Sequence, residues 1–438
     1  MKILFIGKFP PIQGGVSASS LIFVRDLAKL GHEVHVLTNA NDVELGFRQN
    51  LVSEDWTVIE KFVGDNVIIH DFSANTNLMH IPFNKLYAER LFGFGVKLIE
   101  SENFDLIFGW YFQPYGLVAS QLGRFFNIPY YLNHAGSDLG RLSKDESLRY
   151  SYKWMIDGAE RIYTRRTSID LLIETFPDIE KDKIEVIKKG SRLPRHFSFK
   201  ASELDLEDLR IKSQQHYKNH YYNGLNKQLE RINSNPIDKS KPIIAMYGKL
   251  GHSKGSYAAI KMLNKLNKNG VDFQFIYITG GTKTSFSEFV SFIGQFPQLQ
   301  THVWILPFIS YLKIPSFLKS CDILMFLENN FSIEIHNPSI PFEILSSGKC
   351  LITTKEITDK TILKHLLVEG KNYVSVDEPD NTDEFLTKVE TLLKQKTFNV
   401  IGAHGRAVHY DLQNQKSELH PLAEIINEKT NANNVYSA

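Results

Sequence analysis

His336–Thr354 reads HNPSIPFEILSSGKCLITT. Pro341 suits the opening of a helix, where its missing N–H costs nothing. Phe342, Ile344 and Leu345 give that helix an apolar side, and Gly348 is a natural stop. Cys350–Thr354 then reads as a short buried strand. The spacing puts one carboxylate, Glu343, in the first helical turn, beside backbone N–H groups that carry the positive end of the helix dipole. A carboxylate there either complements the dipole or grips vicinal hydroxyls while the amides face phosphate oxygens.

The 438-residue chain is long enough for two or three domains with separate cores. Its 50 Lys+Arg balance 49 Asp+Glu, leaving a formal charge of +1. No global field therefore recruits nucleic acid. Two cysteines, Cys321 and Cys350, each adjoin an apolar run, which argues against a disulfide framework and suits a reducing cytoplasm. The opening MKILFIGKFPP has too short an apolar run for a secretory signal, and no stretch reaches the ~18 apolar residues of a membrane span. A cytoplasmic, multi-domain enzyme is expected.

Upstream, Ile3–Ile6 predicts a strand that runs into the loop GKFPPIQGG (7–15). Its paired glycines, Gly14 and Gly15, let backbone approach a ligand closely. A helix from about Ser17 and a strand over Glu33–Thr38 complete a Rossmann-like unit. The loop lacks the G-x-G-x-x-G spacing, so a dinucleotide redox cofactor is disfavoured. Further strands are predicted at 105–110, 130–132, 161–164 and 184–187. Tyr87, Leu91, Phe94 and Leu98 recur at helical spacing. The strand YYL (130–132) ends in Asn133-His134-Ala135-Gly136-Ser137-Asp138. Strand ends of this kind hold ligands in α/β proteins, which marks His134 as a candidate site residue.

Residues 195–241 are polar and without strand pattern, and read as a linker with one or two surface helices. Alternation restarts with a strand at 243–247, followed by GKLGHSKG (248–255) and a helix. Strands at 273–278, 303–306 and 322–326 precede the 350–354 strand, and the second of these five ends in Thr279-Gly280-Gly281. Lys249 and Lys254 flank a glycine at a strand-to-helix turn, where cations and amides can converge on a diphosphate. A lysine ~4 Å from a phosphate charge contributes on the order of 4 kcal/mol at the effective dielectric of a protein cleft. The order of residues is not that of a P-loop. The fold expected is α/β, with two Rossmann-like doubly wound halves and a cleft between their strand ends.

On PPIQGGV, NHAGSD, EVIKKGS, GKLGHSKG and NPSIPFEILSSGKCLITT, the chain resembles the retaining glycosyltransferases of the GT-B fold, specifically glycosyltransferase family four. The resemblance spans nearly the whole length and implies an N-terminal acceptor-side domain over 1–194, completed by a C-terminal helical segment over 403–438. A linker over 195–241 and a nucleotide-sugar donor domain over 242–402 follow from the same reading. It implies that Glu343 contacts the nucleotide ribose, that Lys249 and Lys254 contact the donor diphosphate, and that Gly14, Gly15 and Gly280 line the nucleotide-sugar site. His134 would lie beside the donor sugar. Catalysis would rest on His134, Glu343 and Lys254, with retention of anomeric configuration.

One departure concerns the motif E-x7-E, whose first glutamate would fall on Ile335; Glu334 precedes it by one residue and is the candidate substitute. No D-x-D occurs, in keeping with a leaving group stabilised by cations and amides, so no metal and no bound cofactor is expected beyond the nucleotide-diphosphate sugar as co-substrate. The implied partners are that sugar nucleotide and a sugar, lipid-linked glycan or other hydroxyl acceptor. A lipid-linked acceptor would bring peripheral contact with the inner face of a membrane, although no single amphipathic stretch compels it. Two other readings fit the same features: a nucleotide-sugar epimerase, and a non-catalytic nucleotide-sugar-binding subunit of a glycosylation complex.

Overall fold

The computed structural model describes residues 1–43, 53–72, 85–187, 201–220, 223–331, 338–377, 382–414 and 419–436. They divide into two compact units, one over Met1–Arg192 and Ser417–Ala438, the other over Leu193–Ser332 and Asn337–Lys416.

The first unit is built on seven strands: β1 (Lys2–Gly7), β2 (Glu33–Thr38), β3 (Val67–Asp71), β4 (Leu106–Trp110), β5 (Tyr130–Asn133), β6 (Arg161–Arg165) and β7 (Ile184–Ile187). They form one sheet in the order β3-β2-β1-β4-β5-β6-β7, every pairing parallel. Parallel strands need crossovers, and helices covering both faces make the central strands apolar throughout. Phe5, Phe108 and Trp110 from β1 and β4 meet Phe23 of the helix Gly15–Lys29, whose ring lies 5.0 Å from Phe108 and 4.9 Å from Trp110. All four are buried, each contributing roughly 1.5–3 kcal/mol by leaving water. At the amino-terminal edge Lys2 pairs with Glu33 and Glu102, and His35 with Glu33, away from the strand ends where ligands gather.

The second unit carries β8 (Ile243–Lys249), β9 (Gln274–Gly280), β10 (Val303–Leu306), β11 (Ile323–Phe326), β12 (Cys350–Thr354) and β13 (Val374–Val376). Their order is β10-β9-β8-β11-β12-β13, again all parallel. Both sheets reverse direction beside their first strand, at β1/β4 and at β8/β11. In open α/β sheets the crevice outside the carboxyl ends at such a reversal is where ligands bind.

Two expected boundaries are corrected. The 195–241 segment carries the two helices read there, but its described residues belong to the second unit, where those helices pack against the edge strand β10. The helices Leu206–His220 and Asn223–Ile232 bury Tyr217, Leu225, Leu229 and Ile232 in the core. The Tyr217 hydroxyl donates to the Ile305 carbonyl at 2.7 Å, and Asn233 brackets the same residue, taking its N–H and donating to its carbonyl at 2.9 Å each. The 403–438 segment is divided. The helix Phe398–Asn414 packs on Ile340–Ser347 and β12 of the second unit, whereas Pro421–Tyr436 packs on Gly15–Lys29 and β7 of the first. Leu422 and Ile426 are buried there. Among the described residues no helix is long and apolar enough to cross a membrane.

Candidate functional site

The carboxyl edge of the second sheet collects the residues singled out for the donor. β8 ends in Tyr247-Gly248-Lys249, and β9 ends at Gly280, whose carbonyl accepts from the Leu250 N–H at 3.3 Å. The turn Gly251–Gly255 closes on Ser256, whose hydroxyl accepts the Gly251 N–H at 3.2 Å and meets the Tyr277 hydroxyl at 2.8 Å. Gly255 has φ +74, and a Cβ there would stand 2.4 Å from the Leu327 carbonyl oxygen, so no other residue fits. This close approach sets the loop after β8 against the loop after β11. Lys249 is exposed.

Lys254 is placed by that approach. Its ammonium pairs with Glu328, a fully buried carboxylate just beyond β11, and stands 3.6 Å from the centre of the Phe331 ring. Lys360 reaches the other Glu328 oxygen at 3.4 Å and Glu356 at 2.9 Å. Burial lowers the Lys254 pKa below the usual lysine range, more than the Glu328 charge raises it. Glu328 is a partner of Lys254 that the sequence reading missed.

Glu343 lies in the first turn of the helix Ile340–Ser347 and is 1% exposed. Its Oε2 accepts from the Tyr247 hydroxyl at 2.5 Å; its Oε1 accepts from Ser339 at 2.8 Å and Tyr311 at 3.2 Å. Burial raises its pKa, and the three hydroxyl donors only partly oppose it. A carboxylate offers about four lone-pair sites. Three are occupied, and the Tyr311 bond is the longest, hence the easiest for a ligand hydroxyl to displace. Tyr247 and Tyr311, which hold the carboxylate, went unnoticed in the sequence.

In the first unit the expected residues occupy the corresponding edge. Gly14, at φ +119, precedes the helix Gly15–Lys29, which starts two residues ahead of expectation; a Cβ on Gly14 would lie 3.3 Å from the Lys8 ammonium. Lys8 is only 4% exposed, a buried cation at this edge that the sequence reading passed over. His134 follows β5, is buried, and exchanges a hydrogen bond with the Thr164 hydroxyl at 2.7 Å. Beside it Asp138 braces two loops, accepting the N–H groups of Phe112 at 2.9 Å, Ala135 at 3.0 Å and Leu139 at 3.0 Å. Tyr111 sits at φ +83, a strained position for a bulky residue, with its hydroxyl 2.5 Å from Ser137. The side-chain polar atoms of Asn39 and Asn133 Nδ2, at the ends of β2 and β5, have no hydrogen-bond partner among the described residues. Glu334, Ile335 and the Lys188–Ser191 run lie outside the described residues.

Asp138 gives a pH prediction. Burial raises its pKa from 3.8 to about 6, against the pull of the backbone N–H groups. The folded state therefore favours the protonated acid. This stabilisation is complete below the unfolded value and disappears as pH rises through about 6. About two pH units correspond to about 3 kcal/mol. Urea unfolding of wild type and Asp138→Asn at pH 7 and pH 4 should show wild type gaining on the variant at the lower pH; a gap independent of pH refutes the assignment.

Against known proteins, residues 227–406 match the family model described as Glycosyl transferases group 1. That interval contains Lys249, Lys254, Gly280, Glu328 and Glu343. An uncharacterized glycosyltransferase of Methanocaldococcus jannaschii is 26% identical over 162 residues, an alignment spanning 37% of this chain and 40% of that protein. Among solved structures, Anabaena HepE in complex with UDP-glucose aligns over the whole of both chains, with TM-score 0.59 and 14% identity. A glycosyltransferase from Rickettsia africae aligns over 94% of this chain and 93% of its own, with TM-score 0.55 and 16% identity. At these identities the structural likeness speaks to fold alone. The chain has the GT-B fold, and residues 227–406 within it match the glycosyl transferases group 1 family.

Proposed function

We propose that the protein is a retaining glycosyltransferase that moves a hexosyl or N-acetylhexosaminyl group from a nucleotide-diphosphate sugar to a hydroxyl acceptor, without a metal. The observation that carries this reading is the convergence of Glu343, Lys254, Lys249 and Gly280 on the carboxyl edge of one sheet, at its β8/β11 reversal, inside the family-matched interval. HepE and its relatives lend the nucleotide-sugar donor by analogy of fold.

In this reading the ribose hydroxyls bond to Glu343, displacing Tyr311, and the diphosphate lies over the loop 249–255. Transfer breaks the bond from the anomeric carbon to the diphosphate oxygen, which keeps the electron pair. The acceptor oxygen bonds to that carbon and passes its proton to the departing diphosphate, so no side chain serves as base. Charge accumulating on the diphosphate is met by Lys254, Lys249 and loop amides, which lowers the barrier without acid–base work. His134 positions the sugar, and Gly14 and Gly15 let the first unit's loop approach its ligand. The pathway would be glycan or glycoconjugate synthesis on the cytoplasmic side of a membrane.

A panel of UDP-, GDP- and ADP-sugars tested by thermal shift, followed by product analysis with acceptors, tests the proposal. One sugar nucleotide should raise the melting temperature, and its sugar should reach an acceptor. Isomerised donor without acceptor would instead mark an epimerase; binding without any turnover would mark a non-catalytic subunit.

A further inference from the structure

At the amino edge of the first sheet, a strand and the end of a helix bring together three groups that ligate metals. Glu33 opens β2, His35 lies two residues on, and Glu102 comes just after the helix Lys85–Ser101. The period of two in a strand puts Glu33 and His35 on one face. The His35 Nε2 lies 2.9 Å from Glu33 Oε1 and 3.6 Å from Glu102 Oε2, and the three ligand atoms all stand within 4.8 Å of one another. Bonds of about 2.0–2.1 Å to a tetrahedral zinc ion hold its ligand atoms roughly 3.3 Å apart. The two imidazole–carboxylate separations bracket that spacing.

The imidazole is held from behind. His35 is fully buried, and its Nδ1 is 2.9 Å from Nε2 of His70 on β3, while Phe104 packs edge-on to its ring at 5.1 Å. A ligating histidine almost always donates its other ring N–H to a neighbouring acceptor, which fixes the ring and turns the remaining lone pair toward the metal. His70 is placed to be that acceptor. Glu33 is exposed and Glu102 half-buried, so an ion reaches them from water. Lys2 pairs with both carboxylates, setting one positive charge against two negative ones. A divalent cation would match both. The Lys2 side chain, 26% exposed, has solvent to swing into when displaced.

We infer that Glu33, His35 and Glu102 bind a divalent transition-metal ion of the zinc class, with water in the fourth position, Lys2 displaced and His70 supporting the imidazole. An imidazole with two carboxylates suits zinc better than calcium or magnesium, which prefer all-oxygen shells. β2 runs six residues at ~3.3 Å each, which sets the ion about 17 Å from the carboxyl edge. There it ties the start of β2 to the end of the helix Lys85–Ser101, and takes no part in the metal-free transfer proposed for the other edge.

Calorimetric titration of the chelator-stripped full chain with zinc chloride, and in parallel with magnesium and calcium chloride, tests the site. Zinc should bind at least about 100-fold more tightly than either of the other ions. Glu102→Gln, and separately His35→Gln, should weaken zinc binding at least about tenfold, and His70→Phe about tenfold through loss of the supporting bond. Glu102 is half-buried beside solvent, so its variant keeps the test open should His35→Gln fail to fold. Lys2→Met removes the competing ammonium and should tighten zinc binding at least about tenfold. A charge network without a metal role has no reason to respond in that direction. Wild-type zinc affinity in folded Glu102→Gln would assign the ion to another surface site and overturn the inference. So would unchanged affinity in Lys2→Met, magnesium or calcium binding as tight as zinc, or no zinc binding by the wild-type chain.

Discussion

Glu343→Gln is expected to lower kcat/KM for sugar transfer about 100-fold or more while the protein remains folded. The carboxylate is the charged acceptor in a set of neutral hydroxyls. A hydrogen bond to a charged group contributes about 1.5–3 kcal/mol, and two ribose hydroxyls would each lose part of it. The amide keeps the shape and one acceptor oxygen for Ser339 and Tyr311, but turns an NH2 toward Tyr247. Glu343→Ala is a poorer test, because it strands the buried Tyr247 hydroxyl and the half-buried hydroxyls of Ser339 and Tyr311, and should cost on the order of 3 kcal/mol of stability. Tyr311→Phe removes the 3.2 Å bond to the carboxylate and should leave donor affinity at or above wild type. The raised pKa adds a signature: donor binding needs the ionised carboxylate, so affinity should decline as pH falls through a value above the ordinary glutamate range. The Gln variant should lack that decline. Wild-type donor affinity in the Gln variant, measured by calorimetry, would remove Glu343 from the ribose site.

The alternation of apolar runs with glycine-bearing turns made both parallel sheets legible, because their central strands are buried on both faces and read as continuous apolar runs. Of the edge strands, β7 and β10 were read as well, but β3 and β13 were not. β3 is half-exposed and ends in His70-Asp71, and β13 is three residues long, so neither stands out from loop. Residues 195–241 misled for a related reason. Their surface is crowded with Lys, Asn and Gln, and the apolar anchors, Leu206, Tyr217, Leu225, Leu229, Ile232 and Ile237, are too sparse to outweigh it. Glu343 and Lys254 were found because each sits in a local pattern of glycines, prolines and strand ends. Glu328 was not, since its partner lies 74 residues earlier and nothing local marks it. The phenol of Tyr247, 96 residues before Glu343, was hidden in the same way. A sequence thus exposes groups fixed by their own turn, and conceals groups whose role depends on a contact made by the fold.

Lys254→Ala is expected to reduce kcat about 1,000-fold, the effect of losing roughly 4 kcal/mol of attraction to the leaving diphosphate. The same change takes the Lys254 ammonium from buried Glu328, which keeps that of Lys360, shared with Glu356. A buried charge deprived of its partner costs about 3–5 kcal/mol, so the variant should also unfold at lower urea. These two losses have different origins, and a double-mutant cycle separates them. Lys254→Ala combined with Glu328→Gln removes both charges and should recover most of the stability. It should recover none of the turnover, because the diphosphate still lacks its cation. Lys254→Arg supplies a further readout. Burial lowers the Lys254 pKa, so wild-type activity should decline with rising pH before an ordinary lysine would lose its proton. The guanidinium keeps its charge, and that alkaline limb should move upward in the Arg variant. If the double variant instead regains turnover along with stability, Lys254 serves only to neutralise Glu328, and the diphosphate is held by Lys249 and the loop amides alone.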